Sequence, residues 1–138
     1  MVFVLDEGSV FDMPMGKLWE YLPSEAHRHP STNLISREVK GNVVTITNER
    51  NINGTMVRTK FQNTLYPPVG LAQEFIEGPA AGSRAFIYYS PIGDKTSITV
   101  VGDFKIAGAS DDESVRKAVM QMLELSFNED TETIKNIK

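Results

Sequence analysis

The side chains able to do chemistry are few and widely spaced. His27 and His29, in His27-Arg28-His29-Pro30, are the only imidazoles. A His-x-His pair can hold a metal, but a site also needs a third ligand and groups that orient the rings. Glu25 is the nearest carboxylate in the chain and does not complete the set, so the pair reads as passive loop histidines with no metal expected. Asn63 sits between Phe61 and Leu65 on the apolar side of an alternating run. Its amide there must bond a polar ligand group, another side chain or a water. Further on, Arg84, Phe86 and Tyr88 share one side of a run, and Ala85, Ile87 and Tyr89 share the other. With Phe86 and Tyr88 inward, Arg84 at the rim would meet an anionic head group; outward, it is an exposed ion-pairing arginine. Glu74 and Glu77 beside Phe75 do not make a convincing carboxylate pair. No G-x-S-x-G, phosphate loop or H-E-x-x-H occurs, so no catalytic set is assigned and no cofactor is expected.

Composition narrows the partners. The 138 residues carry 14 basic and 18 acidic side chains, a net charge of −4. That balance provides no positive field for a phosphate backbone or an acidic membrane surface, so nucleic acid is not an expected partner. The absence of cysteine removes disulfides, thiolate metal sites and a cysteine nucleophile. Met1 to Leu5 is apolar but is broken at once by Asp6 and Glu7, which is not a signal-peptide pattern. No apolar run approaches membrane-spanning length, so no stable membrane insertion is expected. The expectation is a single domain over residues 1–138 in the cytoplasm, with a homodimer left open. Asn53-Gly54-Thr55 matches a glycosylation acceptor but is better read as a turn.

The elements that must position these side chains follow from periodicity. Val2 to Phe11 alternates loosely and predicts a first strand. Asp12-Met13-Pro14 then opens a short helix with Met15, Leu18, Trp19 and Leu22 at helical spacing, stopped by Pro23. The polar stretch from Ser24 to Asn33 has room for one further helical turn. From Leu34 to Ala107, Gly41-Asn42, Asn53-Gly54 and Gly93-Asp94 mark tight hairpins, and Pro67-Pro68 and Gly78 to Gly82 mark looser turns. These breaks predict strands near 34–40, 43–52, 55–66, 71–77, 83–92 and 95–107, paired antiparallel in a meander. A long helix from Asp111 to Ile137 closes the chain. Ser110 and Glu113 have capping-box spacing, with Lys135 and Lys138 at the far end. Its apolar stripe is Val115, Val119, Met122, Ser126 or Phe127, Ile134 and Ile137. Gly102, inside the last strand, suits a bend or a close approach by that helix.

Size then argues for a hollow. Seven strands span roughly 30 Å, whereas a helix with its side chains is about 10–12 Å across. One helix covers such a sheet only if the sheet wraps around it, and wrapping leaves a void favourable to an apolar guest. Trp19, Phe61, Asn63, Phe75, Phe86, Tyr88, Phe104, Val119 and Met122 are the expected ligand-binding residues, with Met120 and Met122 an adaptable wall. Any one of them, taken singly, reads first as plain core.

The order strand, helix, six-strand meander and long final helix resembles the helix-grip fold of the START-like, or Bet v 1-like, superfamily. Its polyketide cyclase/dehydratase and lipid-transport branch looks most similar. Ser9-Val10-Phe11-Asp12-Met13-Pro14-Met15-Gly16-Lys17-Leu18-Trp19-Glu20-Tyr21-Leu22 is similar to the family's strand running into a proline-started helix. Asn128-Glu129-Asp130-Thr131-Glu132-Thr133-Ile134-Lys135-Asn136-Ile137 resembles its closing helix. The resemblance implies an α+β fold, a curved seven-stranded antiparallel sheet around a C-terminal helix, with short helices after the first strand. It also implies an inner hydrophobic cavity, and so a hydrophobic small-molecule ligand such as a lipid, isoprenoid or polyketide-like compound. Two rival functions share that fold: a cyclase or dehydratase steering its guest with Asn63, Tyr88 or His27, and a protein-interaction module docking through its sheet.

Overall fold

The computed structural model describes residues 1–137. Lys138, which the charge pattern placed in the last helical turn, lies outside the described residues. The elements run β1 (Val2–Phe11), α1 (Met15–Tyr21), β2 (Asn33–Lys40), β3 (Val43–Ile52), β4 (Thr55–Tyr66), β5 (Gly70–Glu77), β6 (Arg84–Ile92), β7 (Lys95–Phe104) and α2 (Asp112–Ile137). All seven strands join one sheet in the order β1-β7-β6-β5-β4-β3-β2, every neighbouring pair antiparallel. This is the helix-grip arrangement. The meander runs from β2 to β7, and β1 pairs with β7 so that the chain's first and last strands lie side by side.

Local sequence explains the hairpins. Asn53 and Gly54 both take positive φ, 52° and 86°, as a tight turn that follows the strand twist requires. The Asn51 carboxamide oxygen reinforces that turn by accepting the Gly54 N–H at 2.7 Å. Register shifts in β1 (Asp6 to Ser9), at Lys60/Phe61 in the β4–β5 pair and in β2 (Leu34 to Ser36) insert extra residues that bend and twist the sheet. Gly102 serves the same curvature. A Cβ there would lie 2.8 Å from the Ala85 Cβ and would also strike the Arg84 carbonyl. The close approach at Gly102 is therefore by β6, its neighbour in the sheet, and not by the final helix.

Alternation along the strands sorts two faces. Leu71, Phe75, Ala85, Tyr89, Ile98, Val100 and Phe104 are buried on the concave side with Val2, Val4 and Phe11. α2 presents Val115, Val119 and Ile134 to this core, and α1 adds Leu18 and Tyr21. Phe11 and Phe127 stack with ring centroids 5.0 Å apart, pinning α2 to β1. Among the described residues, the α2 backbone comes close only to β1 and β7 in the sheet. Ile137, assigned to the apolar stripe by spacing, is exposed in the helix's last turn.

Two local expectations are corrected. The cap of α2 is Asp111, whose carboxylate accepts the Ser114 N–H at 2.7 Å while its carbonyl accepts the Val115 N–H at 3.1 Å. The capping residue thus lies one position beyond Ser110, because a carboxylate is the stronger acceptor at a helix's positive end. α1 begins after the extended Pro14, φ −64°. Residues 24–32 form successive turns, with Ser24 N–H on the Tyr21 carbonyl, His27 N–H on Ser24 and Thr32 N–H on His29, in place of a second helix.

Two glycine substitutions test the packing. Gly102→Val should lower the unfolding free energy by about 3 kcal/mol in urea titration, through overpacking against β6. Gly16→Ala, where a Cβ meets nothing within 4 Å inside α1, should be neutral or stabilise by up to about 1 kcal/mol. The helix cap offers a pH-dependent test. The backbone N–H of Ser114 holds the Asp111 carboxyl below its ordinary 3.8. Its folded-state value is depressed, so its contribution is present above the unfolded value and is lost as pH falls through the native one. Asp111→Ala should lower the thermal midpoint at neutral pH, and the gap to the parent should close as the pH is taken below about 3.8.

Candidate functional site

The concave face divides into a packed part and an uncovered part. Where α2 meets β1 and β7, Val119 (0% exposed) and Phe104 (1%) are sealed in the core, and Phe75 is buried beside them. Phe75 lies between Phe61 and Phe104, with ring centroids 6.0 and 6.3 Å away. These three positions pack the protein. Toward β3 and β4 the helix is no longer overhead, and Ile46, Val57, Phe61, Asn63 and Leu65 are only partly buried. Met122 on α2 and Trp19 on α1 are partly buried at the edge of the same core. Trp19 is anchored by donating its indole N–H to the Pro68 carbonyl at 3.1 Å, and it meets Tyr89 edge-on at 5.6 Å. The room expected for a guest would therefore be a trough toward the β3–β4 side, where Val44, opposite Asn63, is nonetheless buried. Within it, the Asn63 Oδ1 is shielded from solvent and has no hydrogen-bond partner.

Phe86 and Tyr88 are not in this trough. Ala85 pairs with Gly102 and Tyr89 with Ile98, all on the concave side, which turns Phe86, Tyr88 and Arg84 to the convex side. Tyr88 is 43% exposed there and its ring lies 4.4 Å from that of Phe86. Arg84 faces Asp103 at 3.7 Å with both side chains well exposed, a surface ion pair of small energetic weight. A hollow of about 420 Å³ on this side is bordered by Gln62, Thr64, Glu74, Arg84, Phe86 and Asp103. A second, of about 480 Å³, lies between α1 and the end of α2 beside Lys17, Tyr21 and Ile137. Neither is the space between the sheet and α2.

The polar centre of the molecule is one that chain order conceals. His27, on the turns after α1, places Nε2 3.1 Å from the Asp130 Oδ1, on α2. His29 Nε2 lies 3.2 Å from His27 Nε2 and 3.5 Å from the same Asp130 oxygen. Tyr21 donates its hydroxyl to that oxygen at 3.0 Å. His27 Nδ1 lies 2.9 Å from the Leu22 carbonyl, and His29 Nδ1 lies 3.5 Å from Glu129 Oε1. Glu129 in turn accepts the Ser31 N–H at 2.8 Å and the Ser31 hydroxyl at 3.0 Å, tying the loop to α2. The third ligand-type side chain that the His-x-His pair lacked in sequence is therefore Asp130, and the reading of passive loop histidines is corrected. A signal for Asp130 existed: it falls at the stripe's period between Phe127 and Ile134, a charge on a buried helix face.

Electrostatics in the cluster are mutually dependent. Burial pulls the His27 imidazole down, but the hydrogen bond and charge of Asp130, with the Leu22 carbonyl, carry it above its ordinary 6.5. Burial pushes the Tyr21 and Tyr89 hydroxyls well above the usual phenol range, and the Asp130 charge adds to both. Both tyrosines therefore remain protonated donors at any physiological pH.

No protein-family model matches the sequence, and no curated protein matches it significantly. Solved structures do. A START superfamily protein from Mycobacterium smegmatis superposes with a TM-score of 0.72 at 15% identity over 99% of each chain. The Zhui aromatase/cyclase from Streptomyces sp. R1128 gives 0.70 at 15% identity, covering 96% of this chain and 91% of that one. A protein from Thermus thermophilus gives 0.75 at 14% identity over 99% of both chains. Among the described residues no helix is long and apolar enough to cross a membrane. By sheet order, closing helix and superposition, the chain has the helix-grip fold that these solved structures share.

Proposed function

We propose that this chain holds a hydrophobic or amphipathic small molecule in the trough between its concave sheet face and α2. The observation that carries the reading is Asn63. An amide oxygen screened from water and left without a donor costs about 1–3 kcal/mol, and Asn63 bears it among Phe61, Leu65 and Ile46. A guest with an apolar body would cover those side chains, and its hydroxyl or N–H would supply that donor once the carboxamide turns its oxygen toward the trough. Support also comes from α2, which closes on β1 and β7 and leaves β3 and β4 free to receive it. The fold is shared with an aromatase/cyclase and a START superfamily protein, so small-molecule chemistry and carriage are both within its range. Of the polar groups that would steer a reaction, Tyr88 points away from the trough, which favours holding over turnover.

Native mass spectrometry of gently purified protein should show one apolar adduct per chain, released by solvent extraction. A chain that is consistently free of any adduct would count against the proposal. Asn63→Leu should stabilise the ligand-free protein by about 1–2 kcal/mol in urea titration, because it removes an unsatisfied buried oxygen, and should reduce adduct occupancy. A destabilised variant would mean that the amide serves the fold and not a guest.

A further inference from the structure

We propose that His27, His29 and Asp130 form a binding site for a divalent transition-metal ion of the zinc type. The three candidate ligand atoms, His27 Nε2, His29 Nε2 and Asp130 Oδ1, are separated by 3.1, 3.2 and 3.5 Å. Tetrahedral zinc, with nitrogen and oxygen ligands near 2.0–2.1 Å, sets its ligand atoms about 3.3 Å apart. An ion about 2 Å from each of the three atoms fits just above the triangle they make.

The orientation of the rings argues the same way. The Leu22 carbonyl beside His27 Nδ1 can only accept a hydrogen bond, and so can the Glu129 carboxylate beside His29 Nδ1. A proton on His27 Nδ1 would leave its Nε2 as the atom that faces His29 Nε2 and Asp130. Three such atoms crowd one another unless a proton or a cation lies among them: a proton makes the His27–Asp130 hydrogen bond, and a metal ion would take its place. A carbonyl or carboxylate behind each ring is also the arrangement by which metal-binding histidines are held and made more basic.

The site is built in advance of the ion. Asp130 is buried on α2 with Tyr21 donating to it, and Ser31 clamps the loop to Glu129, the neighbouring residue. Both imidazoles keep about a quarter of their surface exposed, 25% and 27%, which leaves a route for entry and a fourth position for water. Two imidazoles and one carboxylate suit zinc and its neighbours and not calcium or magnesium, which prefer all-oxygen sets. Such an ion would fasten the His27–His29 loop to α2. The proposal stands apart from the trough, since none of its ligands is Asn63 or a neighbour of it.

The test uses the full chain without an affinity tag, stripped with a chelator and titrated with zinc chloride in a calorimeter. One ion per chain is expected, with a higher thermal midpoint when it is bound. His29→Gln and Asp130→Asn should each weaken binding at least about a hundredfold, and Glu129→Gln about tenfold, as for a group orienting a ligand. Cobalt in place of zinc should give visible d–d absorption that His29→Gln abolishes. His29 lies in the turns and outside the core, so this variant should keep its fold, checked by circular dichroism. Absence of saturable binding would overturn the proposal and leave a protonated histidine bridging to Asp130. Binding that survives His29→Gln with unchanged affinity would overturn it equally, as adventitious surface capture.

Discussion

The seating of α2 on the β1–β7 seam is the constraint from which the rest follows. The first and last strands lie together, and the final helix, entering just after β7, packs against both through Val115, Val119 and the Phe11–Phe127 stack. A helix held there cannot also cover β3 and β4, which the bulged and twisted sheet carries away from it. The trough proposed for a guest is the geometric remainder of that choice. Its apolar lining is the surface that burial by the protein's own core did not reach.

The same seating explains why a charge survives on the buried face of α2. Asp130 lies near the end of the apolar stripe, where a further aliphatic would meet the turns after α1. Instead it receives Tyr21 and His27, so the helix is fixed to the first half of the chain by directional contacts. Breaking such a group leaves a buried charge without a partner, which is costly in a low-dielectric setting. The arrangement thus fixes the azimuth of the helix as well as its position. It also brings two imidazoles and a carboxylate together from segments 101 to 103 residues apart.

How far the sequence reached is plain from particular residues. Asn53-Gly54 and Gly93-Asp94 announced their hairpins because positive φ is a property of the residue itself. The antiparallel meander followed from those turns, although β7 ends at Phe104 and not at 107. The facing of β6 was not legible, since Ala85, Ile87 and Tyr89 are as apolar as Phe86 and Tyr88. Only pairing with Gly102 and Ile98 decides it. Asp130 was unreadable as a partner of His27 for a related reason: sequence separation hides contacts that only the grip of sheet on helix creates. The place of the proposed trough, too, depends on where one helix sits across a sheet, which residue periodicity cannot specify.

The central claim, that the uncovered concave face receives a small amphipathic molecule, is tested most directly by amide and side-chain chemical shifts. The ¹⁵N-labelled protein would be titrated with a long-chain alcohol, which has an apolar body and one hydroxyl. Saturable shifts are predicted at the amides of Phe61, Asn63, Leu65 and Ile46, together with the Asn63 carboxamide. Shifts confined to the convex side around Phe86 and Tyr88, or none that saturate, would contradict it.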